Sequence, residues 1–186
     1  MRRRAFRKAN WVKDTWSMIM LGDKIGSRET LQKSQEILGW ALKVVRTPEV
    51  LGRHSGLAAY DAWARQIADD DDFATDDVDA LRLRHEVHNT AVGTVAECRW
   101  GAARFLERLA QDEPAMADEL QAAVGCYDRE HDLMWKIWGL VGGAGHPQAH
   151  TKFAEPGVRE QIVAIVKEAK ALDEKAADHL EEYLER

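Results

Sequence analysis

The sequence predicts an all-α protein, built as an antiparallel array of about five helices. Two observations predict this fold class. Apolar residues recur at helical spacing through most of the chain, and the breaks between these segments fall at proline, glycine or aspartate clusters. The chain has 186 residues, of which 45% are hydrophobic and 31% charged. These values are typical of a single globular domain with its own core, which we expect to span 1–186.

The first helix is predicted to begin at an N-cap in 27–30 and to end before Pro48. Residues 1–26 have no clear assignment, because the apolar run 16–21 suits either a buried strand or a helix end. The second helix runs from about 56 to 69. Four consecutive aspartates then form a loop, which lacks the alternating ligands and the glycine of a calcium loop.

The third helix is long, from about 75 to 111, and contains Gly93 and Gly101. Glycine costs about 1 kcal/mol relative to alanine inside a helix, so close packing or a kink is expected there. Pro114 opens a fourth helix that ends near 140.

The glycine-rich run at 142–145 breaks the chain again, and a flexible loop carrying His146 and His150 is predicted to follow. Pro156 then begins the last helix, at the first-turn position that proline favours. Apolar residues continue at helical spacing in this helix almost to Arg186.

Composition narrows the possible partners. The net charge of −6 argues against nucleic acid as the main partner, and the basic cluster within 2–8 is interpreted as a solvated terminus. No apolar run reaches about 18 residues, so no membrane span is expected. Cys98 and Cys126 fall inside predicted helices, which indicates reduced thiols and a cytoplasmic protein.

Polar residues interrupt the apolar stripes of the third and fourth helices. Burying a polar group without a hydrogen-bond partner costs about 1–3 kcal/mol. These side chains therefore either form hydrogen bonds with one another or line a cavity. Arg99 lies on an apolar helix face, where its guanidinium needs a carboxylate partner. That partner is either Glu130, in a structural ion pair, or the carboxylate of an anionic ligand. The candidate ligand-binding residues are Tyr60, Trp63, His88, Arg99, Tyr127, Glu130 and Trp135. Five aromatic residues form either a ligand-binding wall or ordinary core: Tyr60, Trp63, Trp100, Trp135 and Trp138.

A metal site is the second possibility. His85 and His88 are three residues apart on one helix and can point to one side. With His131, they would form an open three-ligand site for a transition metal such as zinc. The alternative is that all three are structural histidines bonded to their neighbours. No complete catalytic motif is present, and mid-helix thiols such as Cys98 and Cys126 are usually unreactive.

Four segments follow one another in an order that resembles a known family. They are GLAAYDAW at 56–63, AECRWGAARFL at 96–106, YDREHDLMW at 127–135 and the helical pattern of 159–184. Together they are similar to the C-terminal helical region of the butirosin-biosynthesis-H-like proteins, in which a papain-like, peptidase-type domain precedes the helices.

The resemblance has a limit. The 26 residues before the first predicted helix are too few for a peptidase-like domain, and neither cysteine matches the family's nucleophile motif. The resemblance therefore implies a helical module, with Tyr60, Trp63, Arg99 and Tyr127 on facing helices, and no reaction.

The sequence thus favours a non-catalytic binding or accessory protein. Its cavity would lie between the second, third and fourth helices and take a small, partly apolar, anionic molecule. A second face would mediate self-association, as a two-fold homodimer, or pairing with a separate subunit. The alternatives are a metal-dependent helical-bundle enzyme using His85, His88 and His131, and a purely structural interaction protein.

Overall fold

Six helices dominate the structure, a computed structural model that describes residues 31–143 and 145–186. The all-α prediction is confirmed. The expectations for 1–26 and for the cap at 27–30 lie outside the described residues. The helices are α1 (Leu31–Arg46), α2 (Gly56–Ala68), α3 (Val78–Asp112), α4 (Ala117–Val141), α5 (Ala149–Ala154) and α6 (Pro156–Glu185).

Three long helices, α3, α4 and α6, form the centre of the fold. The α3–α4 pair is antiparallel: Arg104 bonds Asp128, while Arg99 bonds Glu130 farther back along α3. Helix α6 is antiparallel to α4, and α2 packs against α6. None of the described helices is both long and apolar enough to cross a membrane.

Local sequence explains where the helices begin. The Asp77 carboxylate accepts hydrogen bonds from the backbone N–H groups of Asp79 and Ala80, which caps α3. A 3₁₀ turn, Pro114–Met116, separates α3 from α4, and Pro156 lies in the first turn of α6. These signals act over a few residues, so the sequence could predict the starts of these helices to within about three residues.

A small hairpin connects α1 to α2 and was not predicted. Strands β1 (Glu49–Val50) and β2 (Arg53–His54) pair antiparallel across a two-residue turn. The turn residues Leu51 and Gly52 have φ of 51° and 73°. Tight hairpin turns need such positive values, and leucine at the first turn position hides the signal that glycine or asparagine would give.

The predicted flexible loop after α4 is instead partly helical. His150 belongs to α5, whose Ala149 and Phe153 are only 1% and 2% exposed. Phe153 packs edge-on against Phe73, with ring centroids 5.2 Å apart. Burial of this one aromatic side chain anchors a helix too short to be stable by itself.

The core consists of two clusters along the three long helices. One contains the small and branched residues where α3 turns into α4, and the other lies where α4, α5 and α6 meet. Large, nearly inaccessible side chains are Leu106, Leu120 and Tyr183 in the first cluster and Leu133, Met134, Ile137, Phe153 and Ile162 in the second. Between these clusters lies a group of buried charged side chains.

Candidate functional site

A buried ion-pair network joins four helices at the centre of the protein. Arg99 of α3 donates from Nε to Glu130 Oε2 (3.0 Å) and from an Nη to Asp173 Oδ2 (2.6 Å). Tyr60 of α2 donates its hydroxyl hydrogen to Glu130 Oε1, and its oxygen accepts from the same Arg99 nitrogen (3.3 Å). We call Tyr60, Arg99, Glu130 and Asp173 the Arg99 cluster.

The Arg99 cluster is almost entirely removed from solvent. Glu130 is 0% exposed and Asp173 1%, whereas the Arg99 side chain keeps 22% of its surface exposed. The guanidinium also lies 5.4 Å from the ring centre of Tyr127, in a cation–π arrangement. Of the two partners that the sequence left open for Arg99, the structure shows Glu130, and Tyr60 and Tyr127 also contact the guanidinium.

The charges of the Arg99 cluster do not balance. One guanidinium faces two carboxylates, so the cluster carries one excess negative charge when both acids are ionised. Burial raises the pKa of Glu130 to about 7, because the charge of Arg99 only partly offsets the loss of solvation. Burial also raises the pKa of Tyr60, which stays a neutral donor.

Asp173 is the member of the cluster that the sequence analysis missed. It lies on the buried face of α6, with Ala169 and Ala176 one turn away on either side. An acidic residue on an otherwise apolar helix face is visible in the sequence and indicates a buried charge. Its partner, Arg99, is 74 positions away in the chain, so the sequence did not indicate the pairing. Asp173 Oδ1 is buried and has no hydrogen-bond partner among the described residues.

An apolar cleft of about 690 Å³ opens above the Arg99 cluster. Helices α1, α2, α3 and α6 contribute to it, whereas the sequence placed the cavity between the second, third and fourth helices. Glu130 of α4 lies behind Arg99 and is fully buried, and it is not among the described lining residues of this cleft. The described lining residues are Ala41, Val44, Val45, Gly56, Ala59, Tyr60, Trp63, Ala91, Thr94, Val95, Arg99 and Asp173.

His88 lies outside the Arg99 cluster, in an aromatic environment. Trp63 Nε1 donates to His88 Nδ1 (3.2 Å), and the His88 ring stacks on Phe153 with centroids 4.4 Å apart. Burial, aided by nearby His85, lowers the pKa of His88 to about 3, so the ring is neutral near pH 7. Because an indole N–H can only donate, His88 Nδ1 is the unprotonated nitrogen and Nε2 carries the hydrogen.

The three histidines of the predicted metal site do not come together. His85 Nε2 lies 3.3 Å from the carbonyl oxygen of Gly142, and His131 Nδ1 lies 2.9 Å from that of Ala96. Ala96 is eight residues beyond His88, about 12 Å along the helix. Within the part of the chain that the structure describes, no three His, Cys, Asp or Glu side chains form a group able to hold a metal ion.

The predicted aromatic wall is divided into separate groups. Tyr60 and Trp63 are neighbours, with ring centroids 6.5 Å apart, and both line the cleft. Trp135 instead packs on Trp138 (5.0 Å) and donates to His131 Nε2 (2.9 Å). Trp100 is 50% exposed. Trp135 and His131 thus belong to a site other than the cleft.

The cysteines show no sign of activation. Cys98 is exposed and Cys126 is buried, and both are free thiols. Burial raises the pKa of the Cys126 thiol, which disfavours the nucleophilic thiolate form.

The chain matches no protein-family model, no curated protein sequence and no solved structure. The similarity to the butirosin-biosynthesis-H-like helical region therefore stays a prediction from the sequence.

Proposed function

We propose that this protein is a non-catalytic binding protein whose cleft takes a small, partly apolar molecule. The observation that carries the proposal is the buried oxygen Asp173 Oδ1, which lacks a partner among the described residues beside an apolar cleft of about 690 Å³. An unpaired buried acceptor costs about 1–3 kcal/mol. A ligand that donates a hydrogen bond to this oxygen would recover that cost.

The size and chemistry of the cleft support a small-molecule ligand. Ligand pockets typically measure about 300–1,000 Å³ and combine apolar walls with a few polar groups. Here Val44, Val45 and Val95 supply apolar wall, and Tyr60 and Asp173 supply polar groups.

The charge of the cluster favours a cationic head group. The sequence alone suggested an anionic ligand, because Arg99 seemed to need a counterion. Both Glu130 and Asp173 already pair with Arg99, so a further anion finds no unpaired positive charge in the cluster and adds to its negative charge whenever Glu130 is ionised. A primary amine would donate to Asp173 Oδ1 while its apolar chain lies along the cleft.

Octylamine is therefore expected to bind, and Asp173→Asn is expected to weaken its binding at least about tenfold. Asparagine can keep its carbonyl oxygen toward Arg99, which places an NH₂ donor where the free acceptor was. Isothermal titration calorimetry at several salt concentrations measures the affinity. Asp178→Asn is the matched control, because Asp178 lies on the same helix with its side chain 58% exposed. Equal octylamine affinity in wild type and Asp173→Asn would refute the proposal.

The self-association part of the proposal rests on an apolar stripe of α1. Ile37, Trp40 and Val44 occupy one helix face and are 47%, 65% and 47% exposed. Adjacent apolar side chains with this exposure are typical of an interaction surface. We place the contact with a second copy of the chain on this stripe.

Light scattering at about 50 μM is expected to give twice the 21.0 kDa chain mass. Trp40→Glu should yield a monomer, because a carboxylate would be desolvated in the interface. Trp100→Glu changes a tryptophan of similar exposure on α3 and should leave the dimer intact. A monomeric wild-type protein would contradict the proposed stripe.

A further inference from the structure

A second pocket also has Trp63 in its lining. It has a volume of about 310 Å³ and is formed by α2, the segment that follows it, α3 and α5. Its lining is mainly apolar and aromatic, and Trp63 is the residue it shares with the described lining of the cleft. The lining residues used below are Asp72, Phe73, Arg84, Val87, His88 and Phe153.

Two residues that line this pocket each carry a buried hydrogen-bond donor that has no acceptor among the described residues. Arg84 and His88 are four residues apart on α3, so both side chains lie on the same side of the helix. Arg84 Nη1 and His88 Nε2 are both buried and without a hydrogen-bond partner among the described residues. His88 is only 6% exposed, and its Nε2 carries the ring hydrogen because Nδ1 accepts from Trp63.

The charge at the pocket is close to neutral. Arg84 Nη2 lies 3.6 Å from Asp72 Oδ1, an ion pair too long for a hydrogen bond. His88 adds no charge in its neutral form. The pocket therefore offers two donors in an apolar environment, and the Asp72 carboxylate disfavours a ligand with several negative charges.

We propose that this pocket binds a second small molecule, an apolar chain that ends in a carbonyl or carboxylate oxygen. That oxygen accepts hydrogen bonds from Arg84 Nη1 and His88 Nε2, and the chain packs against Phe73, Val87 and Phe153. An oxygen with two lone pairs matches two donors on one helix face. The site has the opposite hydrogen-bonding polarity to the cleft, where the unpaired atom is an acceptor.

Two ligands of similar length test the proposal by calorimetry: octanoate and hexyl methyl ketone. Octanoate or the ketone is expected to bind, and Arg84→Gln should weaken that binding at least about tenfold. Binding of the ketone alone would identify a neutral carbonyl ligand, and binding of octanoate alone a carboxylate. Arg82→Gln is the matched control, because Arg82 lies on the same helix with its side chain 59% exposed.

A second variant, His88→Phe, removes the ring N–H but can keep the stacking on Phe153, and it should also weaken binding. Octanoate and the ketone carry no donor for Asp173 Oδ1, so this proposal and that for the cleft fail independently. Thermal unfolding checks that each variant is folded. If His88→Phe does not fold, the affinity of Arg84→Gln alone tests the proposal. If neither acceptor ligand binds, or if Arg84→Gln binds both as wild type does, the proposal is overturned.

Discussion

Replacing Arg99 with methionine is expected to lower the free energy of unfolding by about 3–5 kcal/mol at pH 7. Methionine keeps most of the packing of the arginine stem but removes the guanidinium. Glu130 and Asp173 would then be two buried carboxylates without their counterion, at 0% and 1% exposure. Chemical denaturation monitored by circular dichroism measures the loss.

Two further sets of variants show whether the loss comes from stranded charges. Adding Glu130→Gln and Asp173→Asn to Arg99→Met removes both carboxylates and should recover a large part of the stability. Arg129→Met is the matched control: its ion pair with Glu168 is exposed, with side-chain exposures of 56% and 48%, and should contribute under about 1 kcal/mol. A loss in Arg99→Met no larger than that in Arg129→Met would show that the cluster is not stabilising.

Acidification from pH 7 to pH 4 is expected to cost the wild type about 3 kcal/mol more than it costs His88→Phe. Burial lowers the pKa of His88 from 6.5 to about 3 in the native state. Between those two pH values the unfolded chain binds a proton that the native protein does not bind. The stability contributed by neutral His88 is therefore present above about pH 6.5 and is lost as the pH falls.

The comparison between the two proteins isolates His88. Other groups such as Glu130, whose raised pKa has the opposite effect on stability, change with pH equally in both proteins and cancel in the difference. Urea denaturation at pH 7, 5.5 and 4 provides the curves. Parallel dependence of the free energy of unfolding on pH in both proteins would mean that His88 is accessible to protonation in the native state.

Much of the fold could be predicted from the sequence because helix signals are local. Each helix boundary is set by residues within one or two turns of it. Examples are the cap at Asp77, the first-turn proline at Pro156 and the break after Val141. The hairpin at 49–54 and helix α5 are too short to show periodicity. Phe153 could not reveal α5 by itself, because its burial depends on Phe73 and His88, which are more than 60 positions away.

The candidate site could be predicted only in part. Arg99 on an apolar helix face required a counterion, and Glu130 was correctly identified from its position on the inner side of the next helix. The same reasoning wrongly grouped His131 with His85 and His88. Residues on the inner faces of two helices can still lie at different positions along the helix axes, and the sequence pattern does not show those positions. Two turns of α3 separate His88 from Ala96, the residue that His131 contacts.

By itself, the sequence determined which long segments are helical, where they end and that Arg99 needed a partner of opposite charge. Only the tertiary structure decided that Asp173 is a second partner, that the cleft lies above α2 and α3 beside α1 and α6, and that His88 stacks on Phe153. The physical reason is that helix formation follows from periodicity and capping within a few residues. The position of one helix against another depends on packing between residues far apart in the chain, which no local pattern records.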